Sequence, residues 1–387
     1  MSVISVVIVG AGPAGLAAAA ALQSRRFAPV VLEGESHVGG PWRRHYEGIR
    51  LQSPKSMSWL PGMRFDDKVD RWVTQAQFIE YLEQYTQFHH IDIKFGTQVS
   101  TIRRVEQEWV IDTTAGRFNS RVVVVCMGYN RVPFIPDFPG MDRFTGEIYH
   151  SSIITRPSDY CGADVLVVGT GNSGAEIAAK IAAAGAKRVR ISVRTYPHVV
   201  KRSFLGVPTI VGAVLVDPLP PKVGDWLLGP TNRLMVGDLR RLGLRNPAEG
   251  MVSTYAKRKV TPIIDTGFLA ELREGRIEPV AGVRSFDEHE VMLCDNSKVP
   301  TDVVILATGY RRGLDSVFPK GEVLNGSGDP LADGPEPLAN APGLYFFGYT
   351  HPFSGNLRRL RIEAPKLAEE VRRYCCEQDA RNFSRTD

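Results

Sequence analysis

Two glycine-rich hexapeptides carry the clearest chemical signal in this sequence: "GAGPAG" at residues 10–15 and "GTGNSG" at residues 169–174. Each follows a β-branched run and opens an alanine-rich stretch that is typical of a helix. In that context the first glycine makes a tight turn, the second lets the backbone approach a pyrophosphate, and the third lets the helix pack on the strand. The helix N-terminus then faces the negative charge. The sequence therefore predicts two dinucleotide-binding sites, with cofactor contacts at Gly10, Gly12, Pro13, Ala14 and Gly15, and at Gly169, Gly171, Asn172, Ser173 and Gly174.

The residue that ends the second strand of each unit distinguishes the two sites. Glu33 closes "VVLE" about 20 residues beyond the first fingerprint, where a carboxylate accepts hydrogen bonds from a ribose diol. The corresponding residue of the second unit is Arg194, whose guanidinium matches a ribose phosphate. We therefore predict FAD or NAD at the first site and NADPH at the second, with a hydride passing from the nicotinamide to a permanently held flavin. A surface salt bridge for Glu33 and a solvated strand end for Arg194 are the structural alternatives.

The elements that must position these residues form two βαβ units, at residues 3–33 and 164–194. Two further buried strands are predicted at residues 302–310 and 343–349. If these strands rejoin the first sheet, the second unit is an insertion. We predict an α/β fold with two Rossmann-like dinucleotide-binding domains, in which the NADPH domain is inserted into a discontinuous FAD domain. The predicted bounds are 1–150 and 291–374 for the FAD domain, 151–290 for the NADPH domain with a helical cap at about 203–250, and 375–387 for a tail.

Composition excludes several functional classes. The 387 residues carry a net charge of only +5 without a basic block, so no nucleic-acid partner is expected. Five cysteines without a CxxC motif favour a reducing cytoplasm over a disulfide framework, and no metal site is predicted. Glycines and a proline interrupt the apolar run at residues 5–22, so it is not a membrane span. The leucine-rich segment at 203–250 is interpreted as a packed lid or ordinary core, with a membrane-touching helix as the alternative.

Further motifs accompany the fingerprints in a fixed order. They are "GGPW" at 39–42, "YEGIRLQSPK" at 46–55, "FTGEIYH" at 144–150, "TPIIDTG" at 261–267 and "ATGY" at 307–310. Over most of its length the sequence resembles the flavin-containing monooxygenases, class B flavoproteins, and most closely their YUCCA-type branch. "FTGEIYH" fits the FxGxxxH signature of that family. Ile154 stands where the signature commonly ends in an aromatic residue, which weakens the likeness to Baeyer–Villiger monooxygenases.

The resemblance also implies roles for individual residues. Phe144, Gly146 and His150 help to position the nicotinamide and link the domains, with a core or capping histidine as the alternative. Gln52 lies near the place of the active-site asparagine of many family members, where an amide hydrogen-bonds a flavin peroxide. The other implied cofactor contacts are Gly40, Trp42, Lys55, Thr308, Gly309, Tyr310 and Gly348.

A group of three arginines follows "SGN" near the predicted flavin end of the sheet: Arg358, Arg359 and Arg361. Positive charge at this place stabilises reduced flavin or attracts an acidic substrate. A solvated helix face is the structural alternative.

The activity implied by the resemblance is NADPH-dependent oxygenation. Reduced flavin adds dioxygen at C4a, and retained NADP⁺ shields the resulting (hydro)peroxide. The protonated form oxygenates amines and sulfides, whereas the deprotonated form attacks a ketone or decarboxylates a 2-oxo acid. The partners are therefore a small organic molecule and O₂, with the YUCCA-like segments favouring indole-3-pyruvate-like acids, and a homodimer stays open. The alternatives are an FAD/NADPH reductase or oxidase without a stable peroxyflavin, and a flavin-bound redox sensor.

Overall fold

The computed structural model describes residues 4–318 and 322–383, and the chain divides into two compact units. Unit 1 consists of Met1–Arg43, Ser53–Val132 and Tyr310–Asp387, and unit 2 of Arg44–Gln52 and Pro133–Gly309. Each unit contains one glycine fingerprint. The chain passes between the units at 43/44, 52/53, 132/133 and 309/310, whereas the predicted boundaries lay at 150 and 290.

The described residues form short parallel strands and helices that alternate along much of the chain. The strands are β1 Ile4–Val9, β2 Val30–Leu32, β3 Asp92–Lys94, β4 Val99–Val105, β5 Glu108–Thr113, β6 Gly116–Val125, β7 Val132–Pro133, β8 Glu147–His150, β9 Asp164–Val168, β10 Arg188–Val193, β11 Val199–Lys201, β12 Ser203–Phe204, β13 Val207–Pro208, β14 Ile263–Asp265, β15 Ile277–Ala281, β16 Val283–Phe286, β17 Glu290–Leu293, β18 Lys298–Pro300, β19 Val303–Leu306, β20 Tyr310–Arg311 and β21 Leu344–Phe346. The α-helices are α1 Pro13–Gln23, α2 Gly40–Arg43, α3 Lys55–Ser58, α4 Gln75–Phe88, α5 Asn172–Ala183, α6 Ile210–Val216, α7 Pro221–Val236, α8 Met251–Arg258, α9 Phe268–Arg273 and α10 Asn356–Phe383.

Unit 1 is built on a seven-stranded sheet in the order β3-β2-β1-β6-β5-β4, with β21 also paired to β6. Strands β2, β1, β6 and β21 run parallel, and β4, β5 and β6 pair antiparallel. Val6–Val9 and Val122–Val125 are buried as continuous apolar runs, because a parallel strand covered on both faces has no polar side. The alanines of α1 let this helix approach the sheet closely, and α10 packs against α1. These contacts fix the carboxyl ends of β1, β6 and β21 at one edge of the sheet.

Unit 2 is built on a five-stranded, all-parallel sheet in the order β15-β10-β9-β19-β8. Helix α5 packs on β10, and a three-stranded antiparallel sheet of β16, β17 and β18 contributes to a second apolar cluster. Tyr46 and Ile49 are buried in the same core as α5, which is why the short segment Arg44–Gln52 belongs to this unit.

The two late strands lie in different sheets. β21 pairs with β6 in unit 1, as expected from an interrupted first domain. β19 pairs instead with β9 and β8 in unit 2. The expectation that both late strands rejoin the first sheet was therefore wrong for β19. Both strands are equally buried apolar runs, and burial does not identify the neighbour with which a strand pairs.

The segment predicted as a packed lid or core exposes its largest apolar side chains. Leu205, Leu215, Trp226 and Leu234 keep 87%, 68%, 74% and 78% of their surface exposed, so this interpretation was wrong for these residues. Helices α6 and α7 do form there, but they turn Leu215, Trp226 and Leu234 outward, and Leu205 lies in the turn between β12 and β13. Within the described part of the chain, no helix has the length and apolar character needed to cross a membrane.

The C-terminal helix is longer than the sequence pattern indicated. The prediction placed a tail from residue 375, whereas α10 continues through Phe383 despite Pro365 in its interior. Residues 384–387 of the predicted tail lie outside the described residues.

Candidate cofactor sites

The first fingerprint forms the turn between β1 and α1. Gly10 has φ +105°, and a Cβ added there would lie 2.6 Å from the carbonyl oxygen of Cys126. A Cβ on Gly15 would overlap the carbonyl oxygen of Gly10. At Gly12, by contrast, no heavy atom lies within 4 Å of an added Cβ, so this side of the turn is open to a ligand. The turn therefore fits the pattern of a pyrophosphate cradle.

The second fingerprint repeats this geometry position by position between β9 and α5. Gly169 has φ +115°, and an added Cβ would lie 2.5 Å from the carbonyl oxygen of Ala307. A Cβ on Gly174 would overlap the carbonyl oxygen of Gly169, and Gly171 again has no heavy atom within 4 Å. The two turns thus meet the same steric demands.

Both helices that follow the turns begin without a side-chain cap. Gly12 and Gly171 are the N-cap residues of α1 and α5, and neither helix start has a capping side-chain hydrogen bond. Pro13 occupies the first turn of α1, where a missing N–H costs nothing. The free N–H groups of Ala14, Ser173 and their neighbours therefore suit the oxygens of a bound anion.

Glu33 lies directly after β2 and beside the first fingerprint. Its Oε2 accepts a hydrogen bond from the Ala11 N–H at 2.6 Å, and its Oε1 accepts from the Glu35 N–H at 2.9 Å. Each carboxylate oxygen keeps a further lone pair for a ribose hydroxyl. Among the described residues no basic side chain pairs with Glu33, so the surface salt bridge considered for it is absent from this part of the chain.

Arg194 follows β10 and is exposed. Its guanidinium makes no hydrogen bond or ion pair with any residue that the structure describes. A free guanidinium at this place fits both interpretations of Arg194, the phosphate contact and the solvated strand end. Its role toward the ribose phosphate therefore stays a prediction.

Asn172 has a structural role that sequence reasoning missed. Its Nδ2 donates to the Pro262 carbonyl at 3.1 Å, and its Oδ1 accepts from the Ile264 N–H at 2.8 Å. The side chain thereby fixes "TPIIDTG" to the start of α5, and β14 within that motif pairs with β11. The likeness of "TPIIDTG" to a family motif indicated that this segment matters. Spacing along the sequence could not identify the residue on α5 that contacts it.

The FxGxxxH signature holds the chain around β8. An added Cβ on Gly146 would lie 2.5 Å from the Asp302 carbonyl oxygen and 2.6 Å from the Phe144 ring, so only glycine fits between them. Phe144 is buried, and its ring meets Phe286 edge to face at 5.4 Å. Gly146 and Phe144 therefore set the path of the strand that ends at His150.

His150 is buried and uses both ring nitrogens. Nδ1 accepts from the Ser152 N–H at 3.1 Å, so Nε2 carries the proton and donates to the Gly309 carbonyl at 3.0 Å. Burial lowers the pKa of the imidazole, which keeps the ring neutral. This arrangement anchors Gly309, and the positioning role of His150 stays a prediction.

The loops after β19 and β21 each contain a predicted contact glycine, Gly309 and Gly348. Gly309 has φ +87°, and Thr308 donates from Oγ1 to the Phe134 carbonyl at 2.5 Å. Tyr310 follows and begins the last segment of unit 1. A Cβ on Gly348 would lie 2.7 Å from Cβ of Ala14, which brings the β21 loop against the first fingerprint within unit 1.

Gly40 and Trp42 lie near the first fingerprint. The Gly39 N–H donates to the Ala11 carbonyl at 3.3 Å, and the Gly40 backbone lies against Glu35. Trp42 is half-buried and packs edge to face on Phe78, with ring centroids 4.7 Å apart. Their contacts with a flavin stay predictions.

Lys55 has a different role from the predicted one. Its ammonium donates to the carbonyls of Asp66, Asp67 and Val69 at 3.2, 2.8 and 2.7 Å. An ammonium has three N–H donors, so none is left for a flavin or its phosphates. We therefore leave Lys55 out of the proposed cofactor site.

Gln52 is half-buried, and its amide has no hydrogen-bond partner within the described ranges. Arg202 donates from Nη2 to the adjacent Leu51 carbonyl. Burial raises the pKa of the Glu176 carboxyl and lowers the pKa of Arg202 to about 10, and each of these charges favours the other. Arg202, at the end of β11, thus holds the backbone beside Gln52, and this contact was not predicted.

Arg359 is not a solvated helix residue. It pairs with Asp333 at 3.1 Å and with Glu363 at 2.8 Å. The Asp333 carboxylate also accepts from the N–H groups of Tyr349 and Thr350 at 2.9 and 2.6 Å, so it fixes the loop after β21. Asp333 lies in a Gly- and Pro-rich stretch without periodicity, and no sequence signal identified it.

We predict that Asn172→Ala lowers the unfolding free energy by about 1–3 kcal/mol, because it removes two hydrogen bonds to the half-buried backbone at Pro262 and Ile264. Urea unfolding without added NADPH measures this change. Ser173→Ala is the control, since its hydroxyl makes no hydrogen bond among the described residues. Full stability of Asn172→Ala with loss of NADPH binding would mean that the amide contacts the cofactor directly.

Comparison with known proteins identifies the family of this chain. A protein-family model described as pyridine nucleotide-disulphide oxidoreductase matches residues 7–203. The chain is 33% identical over 374 residues to the probable indole-3-pyruvate monooxygenase YUCCA9 of Arabidopsis thaliana, covering 94% of this chain and 88% of that protein. It is 33% identical over 386 residues to the indole-3-pyruvate monooxygenase YUCCA6 of the same plant, covering 96% and 91%.

A solved structure shares the fold. The flavin-containing monooxygenase from Stenotrophomonas maltophilia matches with a TM-score of 0.74 and 22% identity, over 97% of this chain and 100% of that one. With two dinucleotide-type turns of this geometry and relatives that match along nearly the whole length, the chain belongs to the YUCCA-like flavin monooxygenases, which use FAD and NADPH.

Proposed function

We propose that unit 1 of this monooxygenase holds FAD and that unit 2 holds NADPH. The observation that carries the proposal is the repeated turn geometry combined with different residues at the ends of β2 and β10. Glu33, hydrogen-bonded to the first turn, suits an unmodified ribose diol. Arg194, a free cation after β10, suits a 2′-phosphate.

The proposed binding residues follow from this division. FAD is assigned to Gly10, Gly12, Pro13, Ala14, Gly15, Glu33, Gly40, Trp42 and Gly348. NADPH is assigned to Gly169, Gly171, Asn172, Ser173, Gly174 and Arg194. We assign the positioning of the nicotinamide to Phe144, Gly146 and His150. The remaining proposed cofactor contacts are Thr308, Gly309 and Tyr310. For Asn172, Phe144, Gly146 and His150 the contacts described above support an indirect, positioning role.

The flavin supplies the oxygen chemistry when bound, through a C4a-(hydro)peroxyflavin formed with O₂. The protein contributes orientation and hydrogen bonds. We assign Gln52 to the oxygen being transferred, because its amide both donates and accepts hydrogen bonds and is free among the described residues. Arg202 acts on Gln52 by holding the adjacent Leu51 carbonyl, and the charge of Glu176 favours the charged form of Arg202.

The proposed substrate is an aromatic 2-oxo acid. This choice rests on the printed activity of the relatives, which are indole-3-pyruvate monooxygenases. The 2-oxo acid, O₂, NADPH and one proton would give the carboxylic acid shortened by one carbon, CO₂, NADP⁺ and water. The carbon–carbon bond to the carboxylate breaks, one oxygen atom enters the new acid, and the other leaves as water.

A reductase is the second candidate, because the matching family model carries a disulphide oxidoreductase description. Such chemistry needs a redox pair of cysteines beside the flavin. All five cysteines are free, and Cys126 is buried with a pKa that burial raises well above its usual value. The sequence and the cysteines therefore favour oxygenation. The homodimer left open by the sequence stays a prediction.

Arg194→Ala is expected to raise the Kd for NADPH by about 10-fold or more, since it removes a charge-assisted contact to the phosphate. The Kd for NADH should stay near the wild-type value. Arg188→Ala, at the other end of β10, is the matched control because its charge faces Asp164. Equal weakening of NADPH and NADH by Arg194→Ala would contradict the phosphate assignment.

Mixing the NADPH-reduced enzyme with O₂ in a stopped-flow spectrometer is expected to reveal a C4a-peroxyflavin that lasts longer when NADP⁺ is present. Reoxidation of the flavin with release of hydrogen peroxide, and without this intermediate at every pH, would favour the oxidase alternative.

Mass spectrometry identifies the substrate class by following turnover of a panel that contains an aromatic 2-oxo acid, a sulfide, an amine and a cyclic ketone. Decarboxylation of the 2-oxo acid is expected. Oxygenation of only an uncharged member would contradict the 2-oxo acid assignment.

A further inference from the structure

A group of unmatched positive charges surrounds one tryptophan in unit 1. The Cζ atom of Arg361 lies 3.9 Å from the centroid of the Trp59 ring, and that of Arg64 lies 5.3 Å from it. Arg358 precedes Arg361 by three residues on α10, so both project from the same face of the helix. We call these four residues the Trp59 cluster.

The loop that carries Trp59 and Arg64 is held rigidly. The Tyr81 hydroxyl accepts from the Leu60 N–H and donates to the Met63 carbonyl, both at 2.8 Å. Tyr85 donates to the Pro61 carbonyl at 2.6 Å, and Phe65 stacks on Tyr81 with ring centroids 4.0 Å apart. Both tyrosines lie on α4 and are buried. Trp59 and Arg64 are therefore presented from a fixed backbone.

The orientation of the Trp59 ring is fixed as well. Its Nε1–H donates to the Ser56 carbonyl at 3.0 Å, which ties the indole to α3. The face of the ring is therefore left for the guanidinium groups. The N–H groups of a guanidinium that stacks on an indole lie in the plane of the guanidinium and do not point at the ring. They stay available to a hydrogen-bond acceptor.

The charges of the Trp59 cluster have no acidic partner within the described residues. Arg64, Arg358 and Arg361 form no ion pair there, and Nη1 of Arg361 is buried without a hydrogen-bond partner. Burial and the charges of Arg358 and Arg64 lower the pKa of Arg361. Arg359, which lies between them in sequence, is matched by Asp333 and Glu363. The excess charge is thus confined to one face of α10.

The position of this charge on the helix adds to its cost. Arg358 lies in the first turn of α10, which contains no acidic residue. Cations are unfavourable at a helix N-terminus because they repel the positive end of the macrodipole. A bound anion would offset this repulsion and the desolvation of Arg361 together.

We propose that the Trp59 cluster binds the carboxylate of the substrate, with Arg361 as the principal contact and Arg358 and Arg64 adding positive charge. The proposal rests on the 2-oxo acid substrate proposed above. A planar guanidinium fork matches a carboxylate with two parallel hydrogen bonds.

The test compares Arg361→Gln and Arg361→Lys with the wild-type holoenzyme. Binding of phenylpyruvate is measured without NADPH by calorimetry, alongside the uncharged ketone phenylacetone and inorganic sulfate. Arg361→Gln should weaken phenylpyruvate by about 10- to 100-fold through loss of a charge-assisted pair, and Arg361→Lys should restore part of the loss. Phenylacetone binding should not change. FAD content and urea unfolding verify that each variant is folded.

Arg373→Gln is the matched control, because Arg373 lies on the same helix and is exposed in a pair with Glu370. It should bind phenylpyruvate as the wild type does. Equal phenylpyruvate binding by Arg361→Gln and the wild type would overturn the carboxylate site. So would a loss of phenylacetone binding in Arg361→Gln as large as the loss of phenylpyruvate binding.

The failure of the substrate proposal gives a different pattern. If the enzyme does not turn over any 2-oxo acid, but sulfate and phenylpyruvate bind the wild type and not Arg361→Gln, the anion site stands and the substrate assignment falls. If the wild type binds neither anion, the site itself is overturned. In the steady state, loss of the carboxylate contact in Arg361→Gln should raise KM for the 2-oxo acid more than it lowers kcat.

Discussion

Backbone carbonyl groups lie so close to two glycine turns that no side chain fits, and the rest of the structure depends on this approach. At Gly10 and Gly15 the neighbours are the carbonyls of Cys126 and Gly10. At Gly169 and Gly174 they are the carbonyls of Ala307 and Gly169. Because strand, turn and helix are pressed together in this way, each helix begins at the edge of its sheet. The uncapped N–H groups then point to where an anion binds.

Around these similar turns the two units use different means to complete their sites. In unit 1 a carboxylate, Glu33, accepts from the turn itself, and Asp333 fixes the β21 loop that reaches Ala14. In unit 2 the amide of Asn172 fixes β14 to the helix start, and neutral His150 fixes Gly309. Buried polar groups are costly unless paired, so these contacts explain why the supporting loops have one arrangement. These different surroundings support the proposal that the two turns hold chemically distinct nucleotides.

Local spacing predicted the features that depend on local geometry. The turns, the helices after them, Glu33 and Arg194 follow from steric rules that act within about 30 residues. Pairings between distant segments were not predictable in the same way. The place of β19, the transfer of Arg44–Gln52 to unit 2 and the Asp333–Arg359 pair all depend on tertiary neighbours. Lys55 shows the same limit, because a motif lysine cannot reveal that three loop carbonyls use its donors.

The most direct test of two separate sites compares Gly12→Val with Gly171→Val. Both glycines have backbone angles that valine tolerates, with φ −80° and −85°, and an added Cβ has no neighbour within 4 Å. The variants should fold and differ only in the cofactor that they exclude. FAD content after purification and NADPH affinity by calorimetry are measured on each. Gly12→Val should lose FAD and still bind NADPH, and Gly171→Val should keep FAD and lose NADPH. Loss of both cofactors by either folded variant, or the reverse assignment, would contradict the account.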